Sequence, residues 1–225
     1  MRDRPIESLD KKETVFIVDD DESIRDGLCN FLEAVGIDAR SYATAEGFSA
    51  QWTDAMPGCL LLDARLPGIS GVEFQEQLRK SGSKIPVIFM TAHGDIPMVR
   101  KVMKAGAAEF LTKPFQKEEL LHAVEQAFAS DRARRKEEVI LDSIRARIAL
   151  LTPREREVMA MVTAGRLNKQ IAGELNLSEI TVKLHRRQVM EKMQADSLAE
   201  LVKMYERVKA ASWPARAPQE KAFPS

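Results

Sequence analysis

Apolar positions along the chain follow two rhythms. Between Thr14 and about Ser130, short apolar runs alternate with segments whose apolar residues return every three to four positions. Thr14–Val18, Cys59–Leu62 and Pro86–Met90 read as strands, with Ile37–Tyr42 and Glu109–Thr112 weaker, so the pattern predicts five strands and five helices. Val15-Phe16-Ile17-Val18 and Val87-Ile88-Phe89-Met90 are apolar at every position, as strands covered on both faces must be. A doubly wound, five-stranded parallel α/β sheet satisfies that pattern.

Past Gln116 the spacing is helical through Phe128. A highly charged stretch, Asp131 to Glu138, then precedes Ile140, Ile144, Ile148 and Leu151 at helical intervals. This predicts a long helix or a helical linker over residues 130–150, after a first domain at 13–129. Thr152-Pro153-Arg154-Glu155 carries a capping Thr, Pro at the first helical position and Glu three residues after the cap, so a second domain should start near residue 151. Its helices are expected from about Pro153 to Ala164, ended by Gly165; from Lys169 to Leu175, capped by Asn168; and from Glu179 to Met193, capped by Ser178. A fourth begins at Ser197 with Glu200 as its box partner, making an all-α four-helix domain over 151–210. Residues 211–225, rich in Ala, Pro and charge, are expected to be disordered.

Charge separates the same two parts. The chain is neutral overall, but residues 1–129 carry about 15 basic and 21 acidic side chains against 19 and 13 in the remainder. A basic second half suits a polyanionic partner. No apolar run approaches a membrane span, and the charged N-terminus has no signal-peptide core, so the protein is expected to be cytoplasmic with no membrane partner. Cys29 and Cys59 sit in apolar segments without metal-ligand spacing and are expected to be reduced thiols.

Candidate chemistry gathers at the strand ends. Asp19, Asp20 and Asp21 follow the first strand, Asp63 ends the third, Thr91 the fourth and Lys113 the fifth. In an open α/β sheet the carboxyl edge is where ligands bind. Taken singly, each aspartate could equally cap a helix and Lys113 could be a surface charge; it is their convergence that points to chemistry. Clustered carboxylates raise one another's pKa unless a cation sits among them, and Mg²⁺ suits a few hard oxygens plus waters. A carboxylate beside such an ion can attack a phosphoryl group, and Asp63 is the natural nucleophile, at the mouth of the Pro- and Gly-containing turn from Ala64 to Gly71.

The stretches VFIVDDDE, LLLDARLPGISG, FMTAHGD and FLTKPF resemble the receiver domain of response regulators, over residues 14–128. The resemblance implies that Asp63 is the phosphoacceptor. It also implies that Asp19 and Asp20 hold Mg²⁺ with Asp63 and the backbone carbonyl of Arg65, and that Thr91 and Lys113 engage the phosphoryl group. Phe110 takes the aromatic switch position, and a cis peptide is implied between Lys113 and Pro114. Arg65 and His93 flank the pocket and are hypothesised to influence how long the phosphoryl group survives; as exposed loop residues they have a bland reading too.

In the second domain a short helix, a turn through Asn176-Leu177-Ser178 and a longer helix follow one another, with Ile171, Ala172, Leu175, Ile180, Val182, Val189 and Met193 available as core. Lys183 and Arg187 are four apart and share a face, with Leu184 and Arg186 beside it. The stretch LTPREREVMAMVTAGRLNKQIAGELNLSEITVKLHRRQVMEKM is similar nearly throughout to the LuxR-type helix-turn-helix domain. Carried over, Lys183, Leu184 and Arg187 would face bases, Lys169, Thr181 and Arg186 would lie nearer phosphates, and His185 would pack or touch backbone rather than bind metal. The domain order resembles the FixJ branch of the LuxR-type regulators.

The resemblance implies a transcriptional regulator phosphorylated on Asp63 by a sensor histidine kinase. Its phosphorylation would promote homodimerisation through the fourth helix and fifth strand, around Arg100, Lys104 and Phe110, with binding to promoter DNA and contact with RNA polymerase. It implies no enzyme activity beyond self-phosphorylation and self-dephosphorylation. Two rivals remain open at this point. A phosphatase also uses an aspartate nucleophile with Mg²⁺, but the residue two after Asp63 is Arg65 rather than a second acid. A constitutive DNA-binding regulator would use its receiver only to sense a ligand or partner.

Overall fold

The protein, seen here as a computed structural model, is described over residues 12–92 and 106–212. In the first part, β1 (Thr14–Val18), α1 (Glu22–Ala34), β2 (Asp38–Tyr42), α2 (Ala45–Gln51), β3 (Gly58–Asp63), α3 (Gly71–Lys80), β4 (Val87–Thr91) and β5 (Glu109–Thr112) follow in order. The five strands form one parallel sheet in the order β2-β1-β3-β4-β5. A fourth receiver helix, expected around Arg100 and Lys104, falls outside the described residues.

The unbroken apolar runs have the origin that the sequence implied. Because side chains alternate across a strand, Phe16, Val18, Leu60, Leu62, Val87 and Phe89 fill one face against Phe48, Val72, Phe74 and Leu78 of α2 and α3. Val15, Ile17, Cys59, Leu61, Ile88 and Met90 fill the other against Leu28 and Leu32 of α1 and Leu120, Val124 and Phe128 of the next helix. Cys59 is buried and Cys29 half-buried, both as thiols, and burial pushes the Cys59 thiol far up.

That next helix, α4 (Lys117–Ala149), runs without a break through the stretch expected as a linker. Two compact units divide within it, after Arg135. Asp131, which heads the charged stretch, is not solvated as such a stretch would suggest: it is 1% exposed. Its Oδ2 accepts from the Gly58 N–H at 3.1 Å and from Arg135 Nε at 2.6 Å, and Arg134 donates to Oδ1. Arg135 in turn donates to the Met56 carbonyl at 2.6 Å. Gly58 is required where it stands, since a Cβ there would lie 1.9 Å from the Thr14 carbonyl oxygen.

In the second unit, Ile144 is buried with Ile140 and Ile148 packed beside it, so the later turns of α4 belong to that unit's core. There follow α5 (Pro153–Thr163), α6 (Asn168–Leu175), α7 (Glu179–Met193) and α8 (Leu198–Ser212). Thr152 and Glu155 form the expected capping box, and the Ser178 side chain accepts from the Thr181 N–H.

Three details differ from expectation. Asn168 does not cap α6 but accepts from Arg186 Nη1 at 2.7 Å, while Gln170 takes the Leu167 N–H. Glu200 reaches the Asp196 N–H rather than that of Ser197, although Ser197 Oγ does cap the helix. Ile180 is not core: it is 79% exposed, because a residue two positions before Val182 lies across the helix from it. The expected tail, beyond Ala211 and Ser212, lies outside the described residues.

Replacing Asp131 by Ala would leave the enclosed Gly58 N–H with no acceptor. The first unit should lose about 2–3 kcal/mol, read from the denaturant midpoint of its unfolding in the full chain; an unchanged midpoint would refute the anchoring role.

Candidate functional site

The strand order reverses between β1 and β3, the neighbours in the sheet that lead to helices on opposite faces, and a crevice opens there at the carboxyl edge. Asp19 follows β1 and Asp63 ends β3, one on each side of it. Lys113, one residue past β5, bridges them: its Nζ donates to Asp19 Oδ2 and Asp63 Oδ2, each at 2.6 Å. The reach of β5 is set by backbone pairing, as the Lys113 N–H donates to the Thr91 carbonyl at 2.7 Å. Lys113 and Pro114 are joined by a cis peptide, as the resemblance implied.

The three consecutive aspartates divide their work. Asp19 is fully enclosed, its Oδ1 accepting from the Asp21 N–H at 3.0 Å. Asp20 is exposed at the rim. Asp21 caps α1, accepting from the Ser23 hydroxyl at 2.6 Å and amide at 2.9 Å, bonds that hold its carboxyl below the usual range. Of the three, Asp21 is therefore the helix cap. Asp19, Asp20 and Asp63 place one carboxylate oxygen each within 4.8 Å of one another.

Desolvation dominates Asp19 and raises its pKa, although the Lys113 hydrogen bond and charge pull it down. Burial would lower the Lys113 ammonium, but its hydrogen bonds to Asp19 and Asp63 outweigh that and raise it. Both partners shift upward because one ammonium shared between two carboxylates returns less to the enclosed Asp19 than burial removes. Such a donor set, hard oxygens with insufficient compensating charge, fits a divalent cation such as Mg²⁺.

Around this core, the Arg65 N–H donates to Asp63 Oδ1 at 2.8 Å, and the Arg65 side chain is exposed. Thr91 is 4% exposed at the end of β4, and Phe110 on β5 is half-buried against the α2–α3 side of the sheet. His93, Arg100 and Lys104 lie outside the described residues. Two supports were not read from the sequence. Arg25 Nη1 donates to the carbonyls of Asp19 and Asp20 at 2.9 and 3.0 Å, one turn into α1. Gly71, at the head of α3, passes so close to Asp63 that a Cβ would lie 2.2 Å from its carbonyl oxygen; the sequence marked it only as a turn glycine.

The second candidate site is the exposed face of α7. Lys183, Leu184 and Arg187 are exposed, and Arg187 Nε donates to Glu191 at 2.8 Å. Lys169 is exposed at the start of α6, Thr181 is half-buried with its hydroxyl 2.8 Å from that of Ser178, and Arg186 is held by Asn168. His185 is half-buried and joins no metal-ligand cluster among the described residues. Behind this face, Glu155 is 2% exposed and accepts from Lys192 Nζ at 2.8 and 2.7 Å while its Oε2 also accepts from the Thr152 N–H. One carboxylate thus closes the cap of α5 and ties that cap to the last turn of α7.

Comparison with known proteins matches both units. Residues 15–125 match the response regulator receiver domain, and residues 149–205 the bacterial regulatory proteins of the luxR family. The chain is 45% identical over 195 residues to Nodulation protein W of Bradyrhizobium diazoefficiens, covering 87% of this chain and 86% of that protein. It is 42% identical over 191 residues to the transcriptional regulatory protein FixJ of Rhizobium meliloti, covering 85% and 94%. Among solved structures, the response regulator StyR superposes with a TM-score of 0.76 at 46% identity, over 87% of this chain and 99% of that one. Full-length FixJ from B. japonicum gives 0.53 at 36%, over 89% and 98%. Among the described residues no helix is long and apolar enough to cross a membrane.

Burial raises the Glu155 carboxyl, but the Lys192 and Thr152 bonds prevail and hold it below the ordinary range. The pair therefore stabilises the fold fully above the ordinary glutamate pKa, and that contribution is lost as pH falls through the depressed folded value. Glu155→Gln should cost on the order of 2 kcal/mol at neutral pH, measured by amide exchange across α5 and α7. The gap from wild type should close on acidification; a gap independent of pH would exclude the ion pair as its source.

Proposed function

Since the chain belongs to the two-component response regulators of the FixJ and LuxR type, and so is a DNA-binding transcriptional regulator, we propose that phosphorylation of Asp63 by a sensor histidine kinase governs its hold on promoter DNA. The observation that carries this is the Lys113 ammonium, 2.6 Å from both Asp19 and Asp63 at the carboxyl edge of the sheet. A receiver domain implies a histidine kinase partner, and a LuxR-type domain implies binding to DNA. Neither domain places the chain in a classical enzyme family; we propose that its only catalysis is self-phosphorylation and self-dephosphorylation at Asp63.

In this reading Asp19, Asp20, Asp63 and the Arg65 backbone carbonyl would hold Mg²⁺, whose charge would offset that on the transferring oxygens. An Asp63 carboxylate oxygen forms the new bond to phosphorus as the bond to the donor breaks, the donor leaving as histidine or, from acetyl phosphate, as acetate. Lys113 starts the reaction bonded to two carboxylates, and one of them, Asp63, becomes an acyl phosphate. The ammonium then has a phosphoryl oxygen to follow, and the Thr91 hydroxyl can donate to another. Those contacts bias Thr91 and Phe110 toward the active arrangement. Arg65, two residues after Asp63, and His93, two residues after Thr91 in the sequence, are proposed to influence how long the phosphoryl group survives.

The DNA-binding contacts are Lys183, Leu184 and Arg187 toward bases, with Lys169, Thr181 and Arg186 toward phosphates. The domains are read as receiver 13–129, linker 130–150 and DNA-binding domain 151–210. A lone domain of this size binds DNA weakly, with a Kd of roughly 10⁻⁴–10⁻⁶ M for non-specific sites. Phosphorylation-dependent pairing of two chains around Arg100, Lys104 and Phe110 raises the local concentration of the second domain and allows contact with RNA polymerase at the promoter. Activation of transcription in the cytoplasm is the expected outcome.

Incubation with acetyl phosphate and Mg²⁺, followed by intact mass measurement, should give a single phosphoryl adduct on wild type and none on Asp63→Asn. Lack of an adduct on wild type, under conditions that label a control receiver, would overturn the phosphoacceptor assignment and favour a constitutive DNA-binding regulator.

A further inference from the structure

Ile180 is 79% exposed and Leu184 is 54% exposed, one turn apart near the start of α7. At about 100° per residue, positions 180, 183, 184 and 187 fall within an arc of about 100°, and Val182, Val189 and Met193 lie roughly opposite. The buried side of α7 is thus supplied by those three residues, each at most 1% exposed, with Met190 packed beside them. Ile180 and Leu184 contribute nothing to that core. They form an apolar ridge, bordered by the Lys183 and Arg187 side chains, on the face that the proposed function turns toward DNA.

We propose that this ridge reads thymine methyl groups in the major groove, with Ile180 a specificity-determining residue alongside Leu184. The inference rests on the DNA-binding reading of α7 and goes beyond it by naming the bases. The flanking cations favour a polyanion as occupant, and they suit guanine edges or phosphates, whereas the apolar feature of a major-groove floor is the thymine C5-methyl. N-terminal residues of a groove-inserted helix are the ones that meet base edges, and Ile180 is the second residue of α7. Four residues of helix rise about 6 Å, close to two base steps of about 3.4 Å. The geometry therefore calls for two thymines about two base steps apart in each half-site.

The test uses the full chain, incubated with acetyl phosphate and Mg²⁺, to select duplexes from a randomised pool. Each thymine of the selected duplex is then replaced in turn by uracil, which removes only the methyl. Two positions should each weaken binding about four-fold, the equivalent of one buried carbon. Ile180→Ala should abolish the uracil effect at one of them and Leu184→Ala at the other, with unchanged circular dichroism, since neither side chain is core. Uracil-insensitive binding, or full uracil sensitivity in both variants, overturns the proposal and assigns the ridge to a protein contact. Failure of the wild-type chain to enrich any duplex would instead defeat the DNA-binding reading on which the proposal stands.

Discussion

One shared proton-rich group holds the receiver's charge in balance. The sheet delivers Asp19 and Asp63 to the same edge, a dry place for two carboxylates, and the Lys113 ammonium lies between them at 2.6 Å from each. Remove that bridge and the two acids repel across a crevice with little water to screen them. The strand order is what makes the bridge possible: β1 and β3 are neighbours, while the β4–β5 pairing carries the lysine to the level of the acids. The bridge is also incomplete: among the described residues the Lys113 ammonium bonds Asp19 and Asp63, and Asp20 stands beside them as a third acid. A pocket stable enough to fold but still rich in carboxylates is one that could hold a cation.

A different ion pair does comparable work in the second unit. Glu155 closes the cap of α5 with one side of its carboxylate while Lys192 approaches both oxygens. Arg147 and Arg154 then reach the carbonyl ends of α7 and α6, at Met193 and Leu175, where cations suit the helix dipoles. The orientation of α7 is therefore set from behind by charged groups, which leaves its opposite face available to carry chemistry of its own.

Much of this was legible in the sequence because the signals were redundant. β1, β3 and β4 are apolar at both parities, as strands of a sheet covered on both faces are, and the acids and the lysine fall at the strand ends whichever boundary residue is chosen. What escaped was the single contact across long separation. Asp131 sits in a run of charge, so nothing local distinguishes it from the other charged residues there; its partner, Gly58, is 73 residues away. Asn168 precedes a helix, as a cap would, but Arg186 competes for its side chain. Ile180 is apolar and was counted as core, yet its phase on α7 opposes that of Val182. Gly71 reads as a turn residue, whereas the close passage of Asp63's carbonyl is what excludes a side chain there.

The Asp131 contact also determines where the protein can be divided. Apolar periodicity on the receiver side of α4 stops at Phe128, which invites a cut just beyond it. A fragment ending there would lose the acceptor for Gly58 and the arginine that reaches Met56, opening the amino-terminal end of β3 to water. Six or seven further residues, which carry no apolar run, thus complete the packing of the first unit even as they open the helical stretch over 130–150. A fragment extending through Arg135 retains that packing.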